Sequence, residues 1–419
     1  MQKGNLIIND PVYGFTVIPR GLLCKVIDHP LFQRLDRIRQ LGMSGIVYPG
    51  ATHTRKQHSI GAFHLMQEAI RSLTEKGIFI FDAEAEAVGI AILLHDIGHG
   101  PYSHVLEQTL VNDLSHEEIS LMMMEKMNED FNGELGLAIK IYRDEYPKHF
   151  FHELICSQLD MDRLDYLCRD SFYTGVREGN IGAARIIKML DVADDRLVVR
   201  SKGIYSVENY LMSRRLMYWQ VYLHKTAVAA EELLRATLER AKELAAEGVE
   251  LPCSPALRHF LYGNISAQDF RNDPTHLQRY SELDDCDILS ALKAWQTAPD
   301  SILSTLAKGF INRHLFKARI YDDNIPDGLI TELQERISAE LDLPMDKTHY
   351  FVRTKTVEKE MYSATSEGIG ILFPDGEIRD VATASHIVRT DMPETGDRKH
   401  YVFTLDTMLP EKDRSSVTP

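Results

Sequence analysis

The sequence predicts a mainly α fold, a helical bundle preceded by a small N-terminal β-hairpin and followed by a C-terminal α+β subdomain. Three observations carry that prediction. Apolar residues recur at three- and four-residue steps from about residue 30 to residue 316, a short β-type run with turn signals precedes them, and alternation replaces the helical period after residue 317. At 419 residues the chain exceeds what one core usually serves. The expected division is 1–48 for the hairpin and first helices, 49–250 for the helical core, 251–316 for a helical extension, and 317–419 for the α+β subdomain.

Residues 5–18 place short β-type runs around Asp10-Pro11 and Gly14, the signature of a hairpin. The segments 30–41, 56–75, 83–96, 116–128 and 151–170 carry helical periodicity. From Val207 to Glu247 runs one long helix or two, closing at Gly248 with Pro252 beyond it. Short helices follow from 255 to 315, and KARIY, HYFVRT, GIGILFP and KHYVFTL then read as strands around the helix ITELQERISAEL. No repeat of solenoid period is visible.

Composition is that of an ordinary globular protein, with 44% hydrophobic and 26% charged residues. A formal net charge of -15 disfavours a broad nucleic-acid footprint, because phosphate backbones are bound by accumulated Lys and Arg. The five cysteines form no CxxC pair, which suits a reducing compartment. With no apolar leader and no run of about eighteen apolar residues, a cytoplasmic, non-membrane protein is expected.

The densest chemistry lies in AILLHDIGHGPYSHVLE, where a helix ends in His95-Asp96 before Gly98, Gly100 and Pro101. Neighbouring side chains of a regular helix diverge by about 100°, so this pair binds one ion only at a frayed terminus, and the glycines supply one. His58 and Asp162, on two other predicted helices, complete a His, His-Asp, Asp set of the kind built between bundle helices. Such N and O donors suit one divalent ion, with Mn, Mg, Fe, Co, Ni and Zn not distinguished. Singly, each of these residues is more often a satisfied polar group than a ligand; the glycines beside clustered histidines favour the ligand reading.

Around this set, Asp162, Tyr166 and Asp170 share one helix face at four-residue steps, as do Arg214, Tyr218 and Tyr222. The tyrosines can equally be core, and for Tyr218 the two readings stand level. Ser115 to Glu118 has capping-box spacing, placing His116 at a helix N-terminus, where the dipole favours a neutral imidazole. His104 lies three residues before Glu107, a carboxylate able to orient it. Either histidine could instead be a structural hydrogen-bonder.

The ordered series NDPVYG, VIDHPLFQRLDRIRQLG, VYPGATHTRKQHSIG, LLHDIGHGPYSH, LSHEE, LDMDRLDYLCRD and RRLMYWQVYLHK resembles the HD-domain phosphohydrolases. Within them it is similar to the deoxynucleoside triphosphate triphosphohydrolases typified by the sterile-alpha-motif-and-HD protein and bacterial dGTPases, over roughly the first 240 residues. The resemblance implies an HD-domain helical bundle with metal ligands His58, His95, Asp96 and Asp162. It implies an acid/base group of His104, Glu107 and His116, although the family has an aspartate where this chain has Glu107. It makes Arg55, His99, Arg163 and Arg214 contacts of the triphosphate, Tyr166 and Asp170 the readers of the sugar 3′-hydroxyl, Gln40 and Leu41 flanks of sugar and base, and Tyr222 the floor. Leu223 stands where relatives carry a polar residue.

The implied reaction converts a deoxynucleoside triphosphate and water to deoxynucleoside and inorganic triphosphate. The metal and arginines neutralise the polyphosphate, water acidified by the ion attacks the α-phosphorus, and His104 or His116 returns a proton to the leaving 5′-oxygen. Asn9, Asp28, Gln33 and Arg37 fall where relatives bind an activating nucleotide between subunits, so a homo-oligomer, dimer or tetramer, is implied. Asp28 can equally cap a helix, and Arg37 can lie on a solvated face. The metal set alone also suits a nucleoside monophosphate phosphatase, an alarmone hydrolase, or a catalytically idle nucleotide-binding scaffold.

Overall fold

The computed structural model describes residues 4–102, 105, 106, 109–111, 113–359, 362, 368–385, 387 and 397–408. The chain opens with an antiparallel hairpin of β1 (Leu6–Asp10) and β2 (Gly14–Ile18), in which Asp10 pairs with Gly14. Asp10 Oδ1 accepts from the backbone N–H groups of Val12 (2.8 Å) and Tyr13 (3.0 Å), and Gly14 completes the turn at φ 81°.

The helices that follow are α1 (Leu22–Asp28), α2 (Pro30–Gln33), α3 (Arg55–Glu75), α4 (Asp82–Leu94), α5 (His116–Asp130), α6 (Gly136–Tyr142), α7 (Phe150–Ile155), α8 (Met161–Thr174) and α9 (Ala183–Met189). A second hairpin, β3 (Leu190–Ala193) and β4 (Arg196–Arg200), leads to α10 (Ile204–Met217). Then come α11 (Lys225–Ala246), α12 (Pro255–Tyr262), α13 (Ala267–Asn272), α14 (Pro274–Ser281), α15 (Asp285–Trp295), α16 (Ser301–Ile311), β5 (Lys317–Tyr321), α17 (Leu329–Leu341), β6 (Arg353–Lys359), β7 (Gly370–Leu372), β8 (Ile378–Asp380), α18 (Val381–Ala384) and β9 (Asp397–Thr404).

The chain divides into two compact units, the first formed by the described residues of 1–100, 114–221 and 361–394. At its centre α3 begins with the capping box of Thr54 and Gln57, and α4 is buried along every face from Ala87 to Leu94. A helix apolar all round needs neighbours on all sides. Asp160 starts α8: its Oδ1 accepts from Arg163 N–H at 2.6 Å and its Oδ2 from Ser157 N–H at 2.8 Å. That cap breaks the 151–170 segment into α7 and α8, where periodicity alone predicts a continuous run. The 207–247 segment is likewise two helices, separated by a π-helical turn over Tyr218–Tyr222 and by His224, which caps α11.

The second unit comprises the described residues of 101–113, 222–360 and 395–419. Its antiparallel sheet has the order β5-β9-β6. Val228, Leu233 and Ala236 of α11 share a core with Leu333 and Ile337 of α17 and with Tyr401 and Phe403 of β9. Arg353 of β6 donates to both oxygens of Glu239 (2.7 and 3.0 Å) and to Glu232 (3.1 Å), tying the sheet to α11.

The 317–419 segment expected as one subdomain is shared between the units. β7 runs parallel to β4, Ile371 opposite Val199, in a sheet of order β3-β4-β7-β8 within the first unit. Ile371 is 0% exposed and Val199 1%, so the pairing buries both.

In the second unit Glu243 receives Lys347, Tyr350 and Arg240. Burial opposes its charge, but these partners outweigh burial and hold its carboxyl at about 2, below its ordinary 4.5. A depressed carboxyl contributes stability that is present above the ordinary value and is lost as pH falls through the folded one. Glu243→Gln is therefore expected to lower stability at pH 7 and to flatten its loss between pH 4.5 and about 2, so that the two curves of urea midpoint against pH converge at low pH. Parallel curves for the two proteins would contradict this.

Candidate metal centre

Three helices of the first unit, with the turn that ends the second of them, deliver the centre. His58 lies in the first turn of α3, His95 caps the C-terminus of α4, Asp96 follows it, and Asp162 lies in the first turn of α8. The chain leaves the α4 axis at Gly98, whose N–H donates to Ser120 Oγ at 2.9 Å. A Cβ at Gly98 would stand 2.2 Å from the His116 carbonyl oxygen and 2.3 Å from Ser120 N, so α5 can pack there only against glycine.

His58, His95 and Asp162 each offer a ligand atom, and these atoms lie within 4.8 Å of one another. His58 Nε2 is 3.0 Å and His95 Nε2 3.4 Å from Asp162 Oδ1, and the two Nε2 atoms are 3.4 Å apart. Both Nδ1 atoms are occupied, that of His58 by Asp165 Oδ2 and that of His95 by the Ile92 carbonyl, each at 2.7 Å. With Nδ1–H donating, two neutral Nε2 lone pairs and a carboxylate oxygen converge, a donor set that fits a divalent ion. Asp96 stands beside it, 3.4 Å from His95 Nε2 and 3.8 Å from His58 Nε2, while its Oδ2 accepts from Arg55 Nη1 at 2.6 Å.

Electrostatics agree with the geometry. Burial works against charging His58, yet Asp162 and Asp165 outweigh it and push its pKa up to about 10. Burial opposes charge on Asp162 as well, but the two histidines hold its carboxyl well below the usual range. The carboxylates here thus favour a positive charge at the imidazole edges, whether proton or metal ion.

The other sequence-predicted residues fall in three groups. His99 is 3.4 Å from Asp96 Oδ1 and stacks on His116 at 3.8 Å between ring centroids, which brings His116 to the rim of the centre. The expected capping box forms: Glu118 N–H donates to Ser115 Oγ and Ser115 N–H to Glu118 Oε2, both at 3.2 Å. Arg163 Nε donates to Asp160 Oδ2 at 3.1 Å, and Arg214 Nη1 to Gln158 Oε1 at 2.9 Å. Arg214 stands 5.8 Å from the Tyr218 ring. Burial raises the Tyr166 hydroxyl well above its ordinary pKa, Tyr218 and Tyr210 add to the rise, and Arg214 and Arg163 oppose it, which marks these side chains as one cluster. Asp170 Oδ1 meets His53 Nε2 at 2.7 Å, and the His53 carbonyl accepts from Gln40 N–H at 3.0 Å, with Leu41 next in the chain.

The remaining positions lie apart. Asn9, Asp28 and Arg37 are exposed, and Gln33 bridges the Ile27 carbonyl (2.7 Å) and Lys56 (2.8 Å). Tyr222 ends the π turn, at the start of the second unit. His104 and Glu107 lie outside the described residues.

Spacing reasoning missed Asp165, Arg169, His53 and Gln158. Asp165 orients His58 and is itself gripped by Arg169, Nε to Oδ2 at 2.9 Å and Nη2 to Oδ1 at 3.0 Å. The signal was present as an Asp three residues after a ligand and an Arg four residues further on.

A family model for the HD domain matches residues 55–170, and one for the HD associated region matches 181–251. The chain is 32% identical over 402 residues to the uncharacterized protein YwfO of Bacillus subtilis, covering 92% of this chain and 88% of that one. It is 31% identical over 253 residues to the deoxynucleoside triphosphate triphosphohydrolase SAMHD1 homolog of Dictyostelium discoideum, spanning 56% of this chain but only 49% of that protein. The crystal structure of a phosphohydrolase from Bacteroides thetaiotaomicron superposes with a TM-score of 0.93 at 59% identity, covering 96% of this chain and 99% of that one. Among the described residues no helix is long and apolar enough to cross a membrane.

His58→Ala and Asp162→Ala are expected to weaken Mn2+ binding by more than about a hundredfold, and Asp165→Asn by about tenfold to a hundredfold. Titration calorimetry on metal-free protein measures this. Wild-type affinity in Asp162→Ala would place the ion elsewhere.

Proposed function

Because the chain belongs to the HD-domain family of metal-dependent phosphohydrolases, we propose that it hydrolyses deoxynucleoside triphosphates to deoxynucleosides and inorganic triphosphate. One observation carries the reading. Beside the metal ligands stand three arginines from three helices, Arg55 on Asp96, Arg163 on Asp160 and Arg214 on Gln158. Two ligating carboxylates already balance a divalent ion and Asp160 offsets Arg163, so Arg55 and Arg214 leave a surplus of positive charge for an anionic substrate. They suit a polyanion.

In this reading His58, His95 and Asp162 hold the ion and Asp96 is the fourth ligand. A divalent ion bound there supplies Lewis acidity toward a phosphoryl oxygen and acidifies water. Arg55, His99, Arg163 and Arg214 neutralise the triphosphate and orient the α-phosphorus. Arg55 Nε is buried without a hydrogen-bond partner among the described residues, leaving a donor for an oxyanion. Asp170 and Tyr166 read the 3′-hydroxyl, Gln40, Leu41 and Tyr218 flank sugar and base, and Tyr222 is assigned to the base by its position in the motif. His116, stacked on His99, returns a proton to the leaving 5′-oxygen. His104 and Glu107 share that role by position in the motif. Asn9, Asp28, Gln33 and Arg37 take an activating nucleotide in a homo-oligomer.

The test is product analysis. Purified protein with each deoxynucleoside triphosphate and Mn2+ or Mg2+ is expected to release deoxynucleoside and triphosphate in equal amounts on anion exchange. Orthophosphate or pyrophosphate as the only product would overturn the reading. Arg214→Ala removes a charge-assisted contact worth about 1.5–3 kcal/mol, so kcat/KM should fall about tenfold to a hundredfold.

A further inference from the structure

We propose that Asp10, on the N-terminal hairpin, is a positioning residue for the metal centre, acting through Arg169 and Asp165 on His58. The four side chains stand in series, joined by hydrogen bonds from Arg169 to His58 and by an ion pair between Asp10 and Arg169. Asp10 Oδ2 lies 2.8 Å from Arg169 Nη1, Arg169 donates through Nε and Nη2 to both oxygens of Asp165, and Asp165 Oδ2 meets His58 Nδ1 at 2.7 Å. Asp165, Arg169 and His58 are 0% exposed and Asp10 is 4% exposed. Charges this deep interact with little screening, so a change at one end reaches the other.

The fold makes room for this series. A Cβ at Gly61 of α3 would stand 2.0 Å from Arg169 Nη2 and 2.1 Å from Asp165 Oδ1, so only glycine lets α3 and α8 close around the pair. Tyr13, in the hairpin turn, stands 5.6 Å from the guanidinium and stacks on His64 of α3 at 5.1 Å. The same Asp10 carboxylate closes the turn through Oδ1 and grips Arg169 through Oδ2. The turn and the Nη1 edge of the guanidinium are therefore tied to one side chain.

The chemical consequence follows from charge balance. Asp10 and Asp165 share Arg169. Without the Asp10 charge, the guanidinium draws wholly on Asp165, and Asp165 becomes a poorer acceptor for His58 Nδ1–H. The imidazole then becomes a weaker donor at Nε2, the atom that faces the ion. Loss of one partner of a buried ion pair also costs stability, so metal affinity has to be read apart from folding.

Asp10→Asn is the discriminating variant, because it keeps Oδ1 for the turn and removes the charge. Mn2+ affinity by electron paramagnetic resonance, on the full chain, is expected to fall about tenfold, with recovery in Asp10→Glu. Wild-type affinity in Asp10→Asn would overturn the proposal. If the thermal midpoint falls as well, a cycle with Asp165→Asn decides. A loss that disappears in the Asp165→Asn background supports action through Asp165, and an additive loss overturns it. The proposal rests on the metal-centre reading. Failure of the wild-type chain to bind Mn2+ refutes that reading, whereas normal wild-type binding with an unaffected Asp10→Asn refutes only this one.

Discussion

The first unit is organised around one buried imidazole whose two nitrogens have opposite tasks. His58 is 0% exposed, with Nδ1 committed to Asp165 and Nε2 turned to Asp162 and His95. A carboxylate buried against a histidine is costly unless its remaining lone pairs are satisfied. Arg169 satisfies them for Asp165, and Asp10 compensates Arg169. From that requirement follow the glycine at position 61, the close approach of α3 to α8, and the anchoring of the hairpin.

The cost of this arrangement is visible nearby. Asp160, wholly enclosed, caps α8 and receives Arg163, yet burial and the neighbouring Asp162 raise its carboxyl to about 6. Around Arg55, Gln40 and His53, buried polar atoms lack partners among the described residues. Proteins depart from full polar satisfaction mainly where a ligand completes it. A ligand bound beside a divalent ion would complete such atoms.

Much of the centre was legible in the sequence because metal chemistry restricts residue type. Imidazole beside carboxylate, followed by glycines, has few uses in a helix, and the structure brings His58, His95 and Asp162 together with Asp96 adjacent. Asp165 was not singled out because its task is defined by His58, which precedes it by more than a hundred residues. The helical periods located α3, α4 and α5 well. They failed at α7 and α8, where the Asp160 cap overrides a continuous apolar pattern, and they left one helix or two open across 218–222, where a π turn carries two of the tyrosines. The β3–β4 hairpin turns on Asp194 and Asp195, both at positive φ, a local signal. Its parallel pairing with β7 joins segments about 170 residues apart, which no local pattern specifies.

The central claim is that one divalent ion is bound by side chains converging from α3, from the end of α4 and from α8. Anomalous diffraction from crystals grown with saturating Mn2+ tests it most directly. The account predicts one strong peak bounded by His58 Nε2, His95 Nε2 and Asp162 Oδ1, with the Asp96 carboxylate completing the ligand set. A Mn2+ peak elsewhere in the chain, or none between those atoms, would contradict it.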